Sequence, residues 1–291
     1  PVDTVDLHLK LFCKLKIFQT DTKYKTGNCN LLASSQHYGL IFVGNLNGFT
    51  VIKAKNIKST TNVNNYPRRD VILNNRPCHL SVDFSQKILG VVCNTKPGAV
   101  LHLYNISSLS SENVTPLDTL SIANITKNPN AEISDLMWQP NNDGTVMICL
   151  TDGSVLSINP KNKENSTFIL PSSTQARCFC WSPKGKQIVI GCHNGTLSQY
   201  KPDLKLVKTL PVPPFFNGFA TIVSVLWISN YQFAVAYSDK NNPSSFPIIT
   251  IVNATKNEPI NIINYEDITY SSTFSRNHQL YLTHHSAWNL I

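Results

Sequence analysis

The stretch "CFCWSPKGKQIVIGCHNGTLSQY", residues 178–200, decides the fold. Ser182-Pro183-Lys184-Gly185 suits a type I turn, because Ser fits the first position, Pro presets φ at the second and Gly is tolerated at the fourth. Asn194-Gly195 is a strong hairpin signal and is read as a type I′ turn. Between the turns, Gln187 to Cys192 is rich in β-branched residues, and Thr196, Leu197 and Tyr200 follow. The reading is three short antiparallel strands joined by two tight turns. The middle strand is apolar on successive residues, so both of its faces need cover and its sheet is expected to lie between two others.

The pattern recurs along the chain. Trp138 stands in "SDLMWQPNNDGTVMICLTDGSVLSI", Trp181 in the opening stretch and Trp227 in "VSVLWISNYQFAVAY", at spacings of 43 and 46 residues. Phe84 takes the same place in "HLSVDFSQKILGVVCNTKPGAVLHLY". An earlier copy covers residues 30–53 and a later, incomplete one covers 270–291. The second turn recurs as Asn47-Gly48, Pro97-Gly98 and Asp152-Gly153, and in the fifth copy it widens into "SDKNNPSSFP", residues 238–247. Each copy is followed by a run able to supply a fourth strand, such as Leu204 to Leu210. Four strands per repeat at a period in the forties is the blade of a β-propeller, in which stacked neighbours cover apolar faces that no single sheet can hide. Phe84, Trp138, Trp181 and Trp227 are expected in the blade core, packed between neighbouring blades. The whole chain, 1–291, reads as one all-β domain. Residues 1–28, with the alternating run "LHLKLFCKLKIF" at 7–18, are the closing strand and lead-in; residues 29–291 are blades one to six. The expectation is a degenerate, non-WD, seven-bladed propeller truncated after about five and a half blades.

Composition narrows the function classes. Of 291 residues, 42% are hydrophobic and 14% charged, which fits an ordered chain with a large core. The net charge of +8 is spread over scattered lysines and reads as solubility and weak steering rather than a nucleic-acid track. The eight cysteines form no CxxC pair and no zinc spacing with His, so buried free thiols are expected. From Leu210 to Ser238 there is no charged residue, but Ser229-Asn230 interrupts the run, which reads as a buried hairpin and not a membrane span.

No phosphate-cradling Gly loop, G-x-S-x-G elbow or H-E-x-x-H motif occurs. His284 and His285 are adjacent, and adjacent strand residues face opposite ways, so they make a poor metal pair. Glu266-Asp267 is the only adjacent acidic pair. Neither an enzyme nor a cofactor is expected. The Trp-Asp dipeptide of WD repeats is also absent.

Four segments occur in order: "YGLIFVG" (38–44), "WSPKGKQIVIGCHNGTLSQY" (181–200), "VPPF" (212–215) and "VLWISNYQFAVAY" (225–237). With them the chain, from about Leu31 to Trp288, resembles the N-terminal propeller of the cytoplasmic-face FG nucleoporins of the CAN family. The resemblance implies a monomeric, non-enzymatic docking domain on the cytoplasmic face of the nuclear pore. It also implies association with other nucleoporins and recruitment of a DEAD-box RNA helicase of mRNA export, with no specific nucleic-acid binding and no membrane insertion. The region it points to comprises the loops at 240–244 and 265–269, with Lys240, Asn241, Asn242, Glu266 and Asp267 as partner-binding candidates. The alternative is a generic cytosolic WD-like scaffold.

Overall fold

A computed structural model describes residues 30–59, 67–111, 114–130, 132–142, 144–164, 166–210, 220–229, 232–241, 248–253 and 259–263. The sixth copy at 270–291 and the run at 7–18 lie outside the described residues. Five four-stranded antiparallel sheets follow one another along the chain. The first holds β1 (Leu32–Ser35), β2 (Leu40–Asn45), β3 (Gly48–Lys53) and β4 (Arg68–Ile72); the second holds β5 (Pro77–Val82), β6 (Ile88–Thr95), β7 (Gly98–Asn105) and β8 (Asp118–Ser121). The third is β9 (Ile133–Trp138), β10 (Val146–Leu150), β11 (Val155–Ile158) and β12 (Thr167–Leu170); the fourth is β13 (Ala176–Trp181), β14 (Ile188–Cys192), β15 (Leu197–Tyr200) and β16 (Leu206–Leu210). The fifth is β17 (Ala220–Ser229), β18 (Gln232–Asp239), β19 (Ile248–Asn253) and β20 (Pro259–Ile263). Each sheet is a simple meander, and the first strands of successive sheets touch in order, β1 on β5, β5 on β9, β9 on β13 and β13 on β17. That is the blade stacking of a propeller. The charge-free run after Leu210 contributes the β17–β18 hairpin, and no described helix is long and apolar enough to cross a membrane.

Alternation along the middle strands shows how each blade is shared. In β14 all five residues are buried; Ile188, Ile190 and Cys192 join a cluster with Met147, Cys149 and Val155 of the third blade, while Val189 joins Ile222, Val225 and Val235 of the fifth. In β6, Leu89 and Val91 pack with Phe42 and Phe49 of the first blade, and Ile88 and Val92 pack with Leu136 and Val146 of the third. A period of two therefore sends successive side chains into two different cores. Glycines on these strands mark the closest approaches. A Cβ on Gly191 would lie 2.5 Å from Ile222 Cγ2, and one on Gly90 would lie 3.2 Å from Trp138 Cζ2.

Trp138, Trp181 and Trp227 are 7%, 6% and 8% exposed and lie in the clusters between successive blades. Trp138 Nε1 donates to Ser81 O of the second blade (3.3 Å), and Trp181 Nε1 donates to Met137 O of the third (3.4 Å). The Trp227 ring instead stands edge-on to Phe233, with centroids 4.6 Å apart, and its indole N–H has no partner among the described residues. Phe84 corrects the expectation, being 55% exposed. Asp83 N donates to Ile88 O just as Ser182 N donates to Gln187 O, so Asp83 matches Ser182 and Val82 holds the tryptophan position. Phe84 falls inside the turn, where Pro183 stands in the fourth blade.

The turns also differ in detail from their reading. Gly185 N donates to Ser182 O (2.8 Å), as a type I turn requires. At the second turn only Gly195 has positive φ (+84°), while Gly195 N donates to Cys192 O and Cys192 N to Thr196 O. That is a type I turn closed by a glycine bulge, and Asp152-Gly153 repeats it, with Gly153 at φ +85°.

Candidate functional site

Because each blade is a meander, turns alternate between two faces. The connections β2–β3, β6–β7, β10–β11, β14–β15 and β18–β19 share one face with the links between blades. The β18–β19 connection spans 240–247, the widest of these five. Lys240 and Asn241 are exposed at its start, and Asn241 N donates to Asp239 Oδ1 (2.8 Å). Asn242, Glu266 and Asp267 lie outside the described residues.

Beside Lys240 the fold assembles residues that the sequence reading did not single out. His193, in the glycine-bulge turn of the fourth blade, reaches the fifth, where its Nδ1 lies 3.1 Å from Thr221 Oγ1. Arg177, at the start of β13, donates from Nη1 to the same hydroxyl (3.4 Å). Burial lowers the His193 pKa, and the charges of Lys240 and Arg177 push it the same way. Two fixed cations, an imidazole and a hydroxyl thus bridge two blades next to the wide loop. Such a set suits charge-assisted hydrogen bonding to an acidic group on a partner. The residues are 16 to 63 positions apart, so no local motif announces them; only the shared face does.

The buried thiols among the described residues offer no reactive centre. Cys93, Cys149, Cys178, Cys180 and Cys192 are buried free thiols, and burial pushes Cys93 up to about 11 and Cys149 and Cys180 to about 12. Asp135, half-buried on β9, is raised to about 6 by burial against the partial relief of the Leu136 N–H. Among the described residues no cluster of three or more His, Cys, Asp or Glu is arranged to hold a metal ion.

The family model described as the NUP159/214 beta propeller matches residues 28–286, almost the whole chain. The chain belongs to this propeller family. Relatives of the NUP159/214 type include the nuclear pore complex protein Nup214 of Drosophila melanogaster, 33% identical over 99% of this chain, and that of Homo sapiens, 27% identical over 98%. The chain spans only 17% and 14% of those two proteins' lengths. Nuclear pore complex protein 14 of Caenorhabditis elegans is 23% identical over 92% of this chain. Among solved structures, a chain of the mitotic checkpoint complex superposes with a TM-score of 0.56 over 88% of this chain and 74% of its own, at 15% identity. That likeness concerns the propeller fold alone.

Proposed function

We propose that this NUP159/214-type propeller is a nucleoporin domain of the nuclear pore complex. On this reading it sits at the cytoplasmic face among other nucleoporins, as a non-enzymatic platform that docks a DEAD-box RNA helicase for mRNA export. The observation that carries the reading is the family match across 28–286, joined to a stack of blades whose loops line two faces. Lys240 and Asn241, on the wide β18–β19 loop, and the adjoining Arg177, His193 and Thr221 supply the docking chemistry, with Asn242, Glu266 and Asp267 as further candidates along the chain.

The test is a pull-down from cell extract with the propeller as bait, with and without added RNA. Selective recovery of a DEAD-box helicase, diminished by RNA and by Lys240→Glu with Arg177→Glu, supports the reading. Recovery of vesicle-coat or signalling components without a helicase favours a general scaffold and overturns it.

A further inference from the structure

On the opposite face, where the β1–β2, β3–β4, β5–β6 and β7–β8 connections emerge, a cleft of about 420 Å³ opens between the first two blades. Tyr38 from the β1–β2 turn, Lys53 and Lys55 after β3, and Ile106, Ser107 and Ser110 after β7 line it. We propose that this cleft binds an acidic peptide segment of a partner protein, with carboxylates held by Lys53 and Lys55. The site does not depend on the helicase-docking reading, because it lies on the other face and uses none of its residues.

Three observations carry the proposal. First, the region is basic. From Asn30 to Ser121, the span of the first two blades, the chain has eight lysines and arginines (Lys53, Lys55, Lys58, Arg68, Arg69, Arg76, Lys87, Lys96) against four carboxylates, Asp70, Asp83, Glu112 and Asp118, so half of the net charge of +8 belongs to these two blades. Second, the described carboxylates of these blades are engaged within the fold. Asp70 Oδ1 accepts from Thr50 Oγ1 (2.5 Å), and buried Asp83 accepts from Ile88 N (2.7 Å) and Ser85 Oγ (2.5 Å). Of the two ion pairs found among the described residues, Lys163–Asp118 engages the carboxylate of β8 and Lys205–Asp203 lies on the fourth blade, so Lys53 and Lys55 stand exposed with no carboxylate partner among the described residues. Third, the cleft is concave and mixed in character. Two lysines, two serines and the half-buried Tyr38 line it, and its size falls within the roughly 300–1,000 Å³ of ligand pockets. The Tyr38 ring stands edge-on to His37 (centroids 4.8 Å apart, 86° between planes). Paired lysines at a concave site match closely spaced acidic side chains.

The experiment measures fluorescence anisotropy of a fluorescein-labelled Glu-Glu-Leu-Glu-Glu peptide with the 291-residue chain at low salt. The expected result is saturable binding that weakens about tenfold or more in Lys53→Glu/Lys55→Glu, with each reversal replacing attraction by repulsion. The exposed pair Lys201→Glu/Lys205→Glu on the fourth blade, which makes the same charge change, should leave binding intact. Ser110→Tyr fills the cleft without altering charge and should also weaken binding; thermal melting checks that each variant stays folded. Equal losses in the two charge-reversed pairs would reduce the effect to general attraction and overturn the site. So would insensitivity to Ser110→Tyr, or an oligouridylate of matched charge displacing the peptide at lower concentration, which would make the cleft a nucleic-acid site.

Discussion

Trp181 shows what one side chain contributes when a repeat position falls between two sheets. Its ring fills the space between the third and fourth blades and its N–H reaches the Met137 carbonyl, so truncation removes both packing and a hydrogen bond. Trp181→Ala should cost about 3–5 kcal/mol in denaturant unfolding, whereas Phe84→Ala, at an exposed turn position, should stay within about 0.5 kcal/mol. Aromatic character made Phe84 look like the same repeat residue; the ladder register, invisible in residue type alone, gives that place to Val82. Asp135 carries a second prediction at this scale. A carboxyl whose pKa is raised from about 4 to about 6 on folding holds its proton more tightly in the native state. Its contribution to stability is therefore greatest at low pH, declines as pH rises between those two values, and is a full penalty above about 6. Asp135→Asn keeps an oxygen for the Leu136 N–H and removes the charge. It should stabilise the protein at pH 7.5 and make little difference at pH 4, measured as paired unfolding curves at the two values.

At the scale of the element, the turns are joints between sheets as well as connectors. Gln139 Nε2 donates to Gly185 O (2.7 Å) and Asn141 Nδ2 to Pro183 O (3.3 Å), which ties the first turn of the third blade to that of the fourth. Gln86 of the second blade does the same service for the first, accepting from His37 N (2.7 Å) and Ser35 Oγ (3.2 Å). Gly185 sits at φ +65°, and a Cβ there would lie 2.1 Å from the Pro140 carbonyl oxygen, a backbone atom with little freedom to move. Gly185→Ala should thus destabilise by more than the roughly 1 kcal/mol of a left-handed backbone penalty, and more than Lys184→Ala beside it; chemical denaturation of the two variants checks this. The strands and turns were legible from the recurrence of Trp and Gly. The Asn194-Gly195 turn type was not, because Asn-Gly satisfies both a type I′ pair and a type I turn followed by a glycine bulge; pairing of Cys192 with Thr196 selects the second. The grouping of Arg177, His193, Thr221 and Lys240 was hidden for a related reason: it depends on which ends of which strands share a face.

At the scale of the molecule, four clusters link the five described blades in sequence, each lying between one pair of neighbours. The buried thiols are distributed through this stack, so their reactivity reports on its integrity. Cys93, Cys149, Cys178, Cys180 and Cys192 should resist a disulfide-exchange reagent at pH 8 in the native protein and titrate only on addition of denaturant; reaction of all five in buffer would show that the blades part readily. The period near 45 residues disclosed this architecture because burying both faces of a thin sheet demands the same residues again in the next one. The basic cleft escaped notice because its lysines and serines are far apart in the chain and ordinary in kind.

The up-and-down path of every blade has one more result. A segment added at a bend after an odd-numbered strand emerges on one side of the disc, and a segment added after an even-numbered strand emerges on the other. Lengthening of the 240–247 connection thus changes one side and leaves the Lys53–Lys55 side untouched. Evolution can remodel one set of contacts by insertion while the other set keeps its partner, with strand parity alone keeping the two apart.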